Sequence, residues 1–289
     1  MKMNKILASA ALFLALSASA DNAGMCADGA SVRINDFRDA MRLYDKEMYS
    51  RSRMMFDKVE SGTSVPDAAG YSLLCDVRDD MPGYVNRIDA FVAAHPYSAL
   101  IPQIRFHHAL NLFDKNDYKG ASEIFAGLKE KSLYRSQRDG YVFMKAYCCL
   151  ENDDLKSARD GFAEVVSRDM SDYTAPSRYA LGYIEYQLKN FSKAVEWFEL
   201  SSQDHRFSEM AGYYILECFF MMKDYDYVVT EGEKMYASVP ADRKSHLARI
   251  ISESYLVLGK VEKARAITTI FTETNAISIF SAIFVVAKK

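Results

Sequence analysis

The chain has 289 residues, enough for two ordinary domains or for one elongated domain that builds its core locally. With 49% apolar and 26% charged residues it falls outside the disordered class, and a formal charge of −3 with no basic tract excludes a nucleic-acid footprint. The 19 Tyr and 17 Phe, set against only 6 Pro and 13 Gly, point to helices packed through rings and away from a turn-rich β fold.

Residues 1–20 read as a cleaved secretory signal peptide. Lys2 and Lys5 precede an apolar run from Ile6 to Leu16, and Ser17-Ala18-Ser19-Ala20 supplies the small-residue cleavage site before Asp21. The run is too short to span a bilayer, which takes about 20 apolar residues. Cleavage removes two lysines and no acid, leaving a charge of about −5. Lipidation at Cys26 is disfavoured, because Met25 stands where a lipobox wants a small residue. Residues 21–33 are expected to be a flexible lead-in.

From 34 to 265 the sequence repeats. A bulky residue, two spacers, a small residue, three spacers and a ring recur as Tyr118, Ala121, Phe125, as Leu155, Ala158, Phe162, and as Phe191, Ala194, Phe198. Tyr49, Ser52 and Phe56 give an earlier copy. Tyr84, Arg87 and Phe91 give a degenerate one, with Arg87 in the small-residue place. Tyr225 with Val228, and Val261 with Ala264, keep the register without the ring, and Gly232 stands where one ring belongs. The leading residues 49, 84, 118, 155, 191, 225 and 261 are 34 to 37 residues apart. A second helical pattern precedes each copy, such as Ile104 to Phe113 before Tyr118 and Tyr179 to Tyr186 before Phe191. Polar turns, Asp114 to Asp117 and Glu151 to Asp154 among them, separate the two. Each unit is therefore helix, short turn, helix. The small residue lets the second helix approach the first, and the ring plugs the space between neighbouring hairpins. No hairpin buries its apolar faces alone, so stacking is obligatory.

After Ala264 the pattern stops. Residues 266–289 form an atypical apolar tail, and Ala276 to Ala287 is β-branched and apolar. A membrane anchor, a helix cap and a hairpin interrupted by truncation or a change of reading frame are the three readings, of which the third is preferred. No stable transmembrane span is expected.

The five cysteines are odd in number, and Cys148 and Cys149 are neighbours whose side chains diverge on a helix. They read as small buried hydrophobes. The histidines are His95, His107, His108, His205 and His246, and none falls in H-E-x-x-H or beside a metal-binding C-x-x-C. There is no phosphate loop and no G-x-S-x-G elbow. No enzyme activity, cofactor or metal is expected.

The period, the Leu181-Gly182 and Trp197-Phe198 pairs and the small-residue register resemble tetratricopeptide repeat proteins, over roughly Asp36 to Arg265. The resemblance implies an all-α, right-handed α-solenoid of about six to seven hairpins. With the leader and Pro96-Tyr97-Ser98 between hairpins, the chain is similar to exported, envelope-associated members from double-membraned bacteria. That implies a periplasmic or outer-membrane-peripheral scaffold. By the family's register the first helices line a concave groove, whose inward residues include Phe106, Phe143, Tyr147, Tyr179, Tyr183, Tyr186 and Tyr213. Arg105, Arg178 and Arg249 flank the same helices. The expected function is non-catalytic binding of a protein segment, with outer-membrane association open. A cell-wall glycan-binding accessory role and an architectural subunit are the alternatives.

Overall fold

The computed structural model describes residues 28–60, 67–169, 171–236, 239 and 241–267. The segment read as a signal peptide, Cys26 and the apolar stretch after residue 267 lie outside them. Among the described residues the chain is helical and has no strand. The helices pair as α1 (Asp28–Asp45) with α2 (Tyr49–Glu60), α3 (Ala68–Arg78) with α4 (Tyr84–Ala94), and α5 (Ile101–Asp114) with α6 (Tyr118–Ala126). A short 3-10 turn, Glu130–Ser132, leads into α7 (Arg135–Glu151) and α8 (Leu155–Ser167). Then come α9 (Ser171–Gln187) with α10 (Phe191–Ser202), α11 (Ser208–Met221) with α12 (Tyr225–Tyr236), and α13 (Ala241–Val257) with α14, residues 261–267. α1 takes in the last residues of the segment expected as a lead-in, 21–33.

The seven leading residues of the repeat are the first residues of α2, α4, α6, α8, α10, α12 and α14. The reason lies in the turn that precedes each. Every first helix ends in the same pair of backbone hydrogen bonds, shown by Asn116 N–H to Phe113 C=O at 2.9 Å and Asp117 N–H to Leu112 C=O at 2.9 Å. This is a Schellman closure, and it needs a left-handed residue at its corner. Glu47, Asn116, Asp153, Lys189, Lys223 and Gly259 supply it, each with φ between 58° and 73° and each two residues before a leading residue, and Asp80, at φ 49°, supplies it four residues before Tyr84. The next residue then caps the second helix: Asp117, Asp154 and Asp224 accept from the backbone N–H three residues on.

The packing follows the small-residue rule. Ser52, Ala121, Ala158, Ala194 and Val228 are completely buried, as are the rings Phe56, Phe125, Phe162 and Phe198. The approach is close enough that a Cβ on Gly182 would come within 2.7 Å of the Phe198 ring. Two departures resolve physically. Arg87 is not in the packed position: two extra turn residues and a left-handed Gly83 precede α4, Tyr84, Ile88 and Phe91 are buried, and the exposed Arg87 pairs with the buried Asp76. At Gly232 the missing ring is replaced from the next hairpin, because Ile251 Cγ1 lies 2.8 Å from where a Cβ would be. Cys75, Cys148 and Cys218 are buried free thiols, and Cys149 is half-buried.

The helices form two compact units, residues 1–173 and 174–289, divided inside the first turn of α9. In unit 1, α3 packs on α2, α4 and α5, and α7 packs on α6 and α8. In unit 2, α11 packs on α10, α12 and α13. Its core joins Leu216, Val228, Val229, Leu247, Ile250, Ile251 and Tyr255.

Candidate functional site

Phe106, Phe143, Tyr179 and Tyr213 each stand twelve residues before the leading residue of their own hairpin, and Tyr147 and Tyr183 stand eight before. The shared register places them on equivalent helical faces. Their surroundings divide them.

In unit 1 the rings are core. Phe106 is buried between His107, at 5.4 Å, and Phe125, at 6.3 Å. Phe143 is enclosed by Phe162 at 5.6 Å and Tyr173 at 5.0 Å. Tyr147 is enclosed by Phe113 at 5.3 Å and Tyr118 at 5.6 Å. Burial first and the neighbouring Tyr134 second push the Tyr71 hydroxyl up to about 12. Deeper in, Arg78 donates to Tyr49 and to Nε2 of His107, 3.2 Å away, and Glu47 lies 3.5 Å from the same guanidinium. His107 is buried, and burial together with Arg78 pulls its pKa down to about 3. This network ties the turn after α1 to α2, α3 and α5, with only the Glu47 carboxylate exposed. Arg105 is exposed on α5.

Unit 2 is different. Tyr179 is still core, against Phe198 and Phe207 at 5.5 Å each. Tyr183 and Tyr186 are only half-buried. Both present an edge to Tyr214, at 5.9 and 5.4 Å, and Tyr214 stacks on Phe198 at 5.2 Å. The Tyr183 hydroxyl accepts from Gln187 Nε2 at 2.7 Å. One hairpin on, the position of Tyr147 and Tyr183 becomes Glu217, and one further it becomes Glu253. The Tyr213 ring is buried, but its hydroxyl donates to Glu217 at 3.0 Å and lies 2.7 Å from His246 Nδ1. Arg249 reaches His246 Nε2 at 3.0 Å and Glu253 at 2.9 Å. Arg243 pairs with Glu209 at 3.4 Å and lies over the Tyr213 ring at 5.9 Å. The Nε atoms of Arg178 and Arg243 are buried without a hydrogen-bond partner.

The electrostatics keep the hydroxyls of this face in their protonated form. Burial, then the negative charge of Glu217, raises the Tyr186 and Tyr213 hydroxyls above the ordinary phenol range, and burial raises Tyr214 to about 12. These groups stay protonated donors and do not become phenolate nucleophiles. Of the seven rings expected to line a groove, the structure brings Tyr183, Tyr186 and Tyr213 together on α9 and α11 and places the other four in cores. Tyr214, Glu217, Arg243 and His246 escaped sequence reasoning. Glu217 had a signal, the eight-residue offset it shares with Tyr147 and Tyr183. Among the described residues no group of His, Cys, Asp or Glu is placed to hold a metal, and no helix is long and apolar enough to cross a membrane.

No family model matches the chain, and no curated protein matches it. Solved structures do. The apo form of RapI superposes with a TM-score of 0.58 at 11% identity, over 83% of this chain and 75% of that one. A tetratricopeptide repeat protein from Parabacteroides merdae gives 0.48 at 11% identity, over 84% and 93%. Pseudomonas aeruginosa PilF gives 0.47 at 11% identity, over 83% and 99%. With its repeated helix pairs, the chain has the all-α solenoid fold of the tetratricopeptide repeat type.

Proposed function

We propose that the chain is a non-catalytic protein–protein interaction scaffold that takes an extended or helical partner segment on the open face of α9, α11 and α13. The observation that carries this reading is the change in the inward positions of unit 2. Enclosed rings give way there to half-exposed Tyr183 and Tyr186 against Tyr214, and beside it Tyr213 meets Glu217 and His246, which Arg249 reaches. Rings with a wet polar edge are what peptide-binding hot spots use, and the hydroxyls and carboxylate serve a backbone or a side chain. The leader-like N-terminus supports a setting in the bacterial envelope, in the periplasm or at the outer-membrane periphery.

The test is a crosslinked pull-down from envelope extract, followed by titration of the recovered protein against wild type and a Tyr183→Ala, Tyr186→Ala double variant. Truncating two half-exposed anchor rings is expected to weaken binding by more than tenfold with helicity intact. Unchanged affinity would move the site off this face. Recovery of cell-wall glycan alone would replace the scaffold with a glycan-binding accessory protein.

A further inference from the structure

Donor and acceptor accounting assigns a proton state to His246. A guanidinium only donates, so the 3.0 Å contact from Arg249 Nη2 makes His246 Nε2 the acceptor. The proton of the neutral ring is then on Nδ1, facing the Tyr213 hydroxyl oxygen at 2.7 Å, and the Tyr213 hydroxyl donates onward to Glu217 at 3.0 Å. Arg249 to His246 to Tyr213 to Glu217 is thus a chain with one direction, complete only while the ring is neutral.

We infer that His246 is a proton-operated latch on the face of α9, α11 and α13, holding Arg249 Nη2 on its ring while neutral and releasing that donor to a bound segment when protonated. The site's binding role is the reading given above, and the latch deepens it. Protonation puts an N–H on Nε2, directly against the N–H of Arg249, so the contact turns from a hydrogen bond into a clash of like charges. The released guanidinium keeps Glu253, 2.9 Å away, and turns from the ring to the open face. Every facing charge has a part. On α11, Glu217 lies 3.3 Å from Nδ1 and favours the imidazolium, and Glu209 is occupied by Arg243. Tyr213 and Tyr214 on α11 and Tyr186 on α9 remain neutral. On α13, Arg243 and Arg249 oppose the imidazolium, and Glu253 favours it.

The same Arg-to-Nε2 pairing occurs in unit 1 between Arg78 and His107, but there burial keeps the ring neutral. His246 keeps 38% of its side-chain surface in solvent, so a proton can reach it. A protonated latch adds one positive charge to the face and leaves Arg249 Nη2 without its acceptor. The segment it favours carries a carboxylate.

The latch is read by NMR on the full chain, without a partner, so its outcome is separate from that of the pull-down. Long-range proton–nitrogen spectra of His246 are followed as pH falls from about 8 to 5, with the Arg249 guanidinium signals recorded alongside. The expected result is an Nδ1–H ring at neutral pH, and Arg249 signals that move with the same midpoint as His246. Arg249→Gln should raise that midpoint and Glu217→Gln should lower it. An Nε2–H ring, Arg249 signals blind to the titration, or equal midpoints in both variants would overturn the latch. Arg249 is exposed, so its variant is expected to fold, and helicity checks this.

Discussion

Gly232 occupies the place that Phe125, Phe162 and Phe198 fill in other hairpins, and the sequence alone shows there only a missing ring. The structure supplies the volume from the following hairpin: Ile251, fully buried, lies against the glycine. The consequence is a coupled pair. Gly232→Phe overpacks the site and is expected to cost about 1–3 kcal/mol, and Ile251→Ala leaves a cavity costing about 2–5 kcal/mol. The double variant should cost clearly less than the sum, because each change makes room for or fills the other. Urea denaturation of the four proteins measures this, and additivity would mean that Ile251 does not stand in for the ring. His107 makes a second prediction at this scale. Its folded pKa, about 3, lies below the ordinary imidazole value, so below about pH 6.5 the unfolded chain binds a proton that the folded chain refuses. Stability from this group is whole above that pH and falls by about 1.4 kcal/mol per pH unit beneath it, down to about pH 3. His107→Gln, measured beside wild type between about pH 6 and 4, should show a slope shallower by that amount. Parallel slopes would place His107 in contact with water. Neither property was legible in the sequence, because adjacent His107 and His108 read alike until Arg78 closes over one of them.

At the scale of the element, the helix starts and the places of the turns were legible, and the left-handed corners of those turns were not. The second helices begin at the leading residues because a Schellman closure and a cap occupy the two positions before them. Gly259 and Asn116 are residue types that advertise a left-handed corner, whereas Glu47, Lys189 and Lys223 carry no such signal. Repetition of the hairpin imposes the conformation on them, at a local strain of about 1 kcal/mol each. Lys189→Gly and Lys223→Gly are therefore expected to stabilise unit 2 by up to about 1 kcal/mol each, against the usual weakening by glycine. Both lysines are exposed and in no helix, so a fall in the melting midpoint of either variant would contradict the turn geometry. The burial of the rings on the first helices was half legible for a related reason. Helical spacing says that Phe143 and Tyr183 share a face, but not that neighbouring rings enclose the first while the second stays at an edge.

For the whole molecule, the period itself carries the architecture: seven leading residues at near-constant spacing specify stacked hairpins whose contacts are with their neighbours. Stability in such an array is a sum of local terms, and damage should stay local. Ending the chain after Tyr236 removes α13 and α14, and with them Leu247, Ile250, Ile251 and Tyr255, the partners that bury Leu216, Val228 and Val229. Each apolar side chain so uncovered forfeits about 1.5–3 kcal/mol of burial, enough in sum to loosen α11 and α12. The cores of unit 1, built from Leu73, Leu74, Val77, Tyr84, Ile88 and Phe91 and from Phe56 and Val59, share no residue with that cluster. Amide hydrogen exchange on the shortened chain should therefore show protection lost in α11 and α12 and kept in α3 to α6. Equal loss in α3 to α6 would mean one cooperative block in place of a chain of neighbours, and the nearest-neighbour account of this array would fall with it.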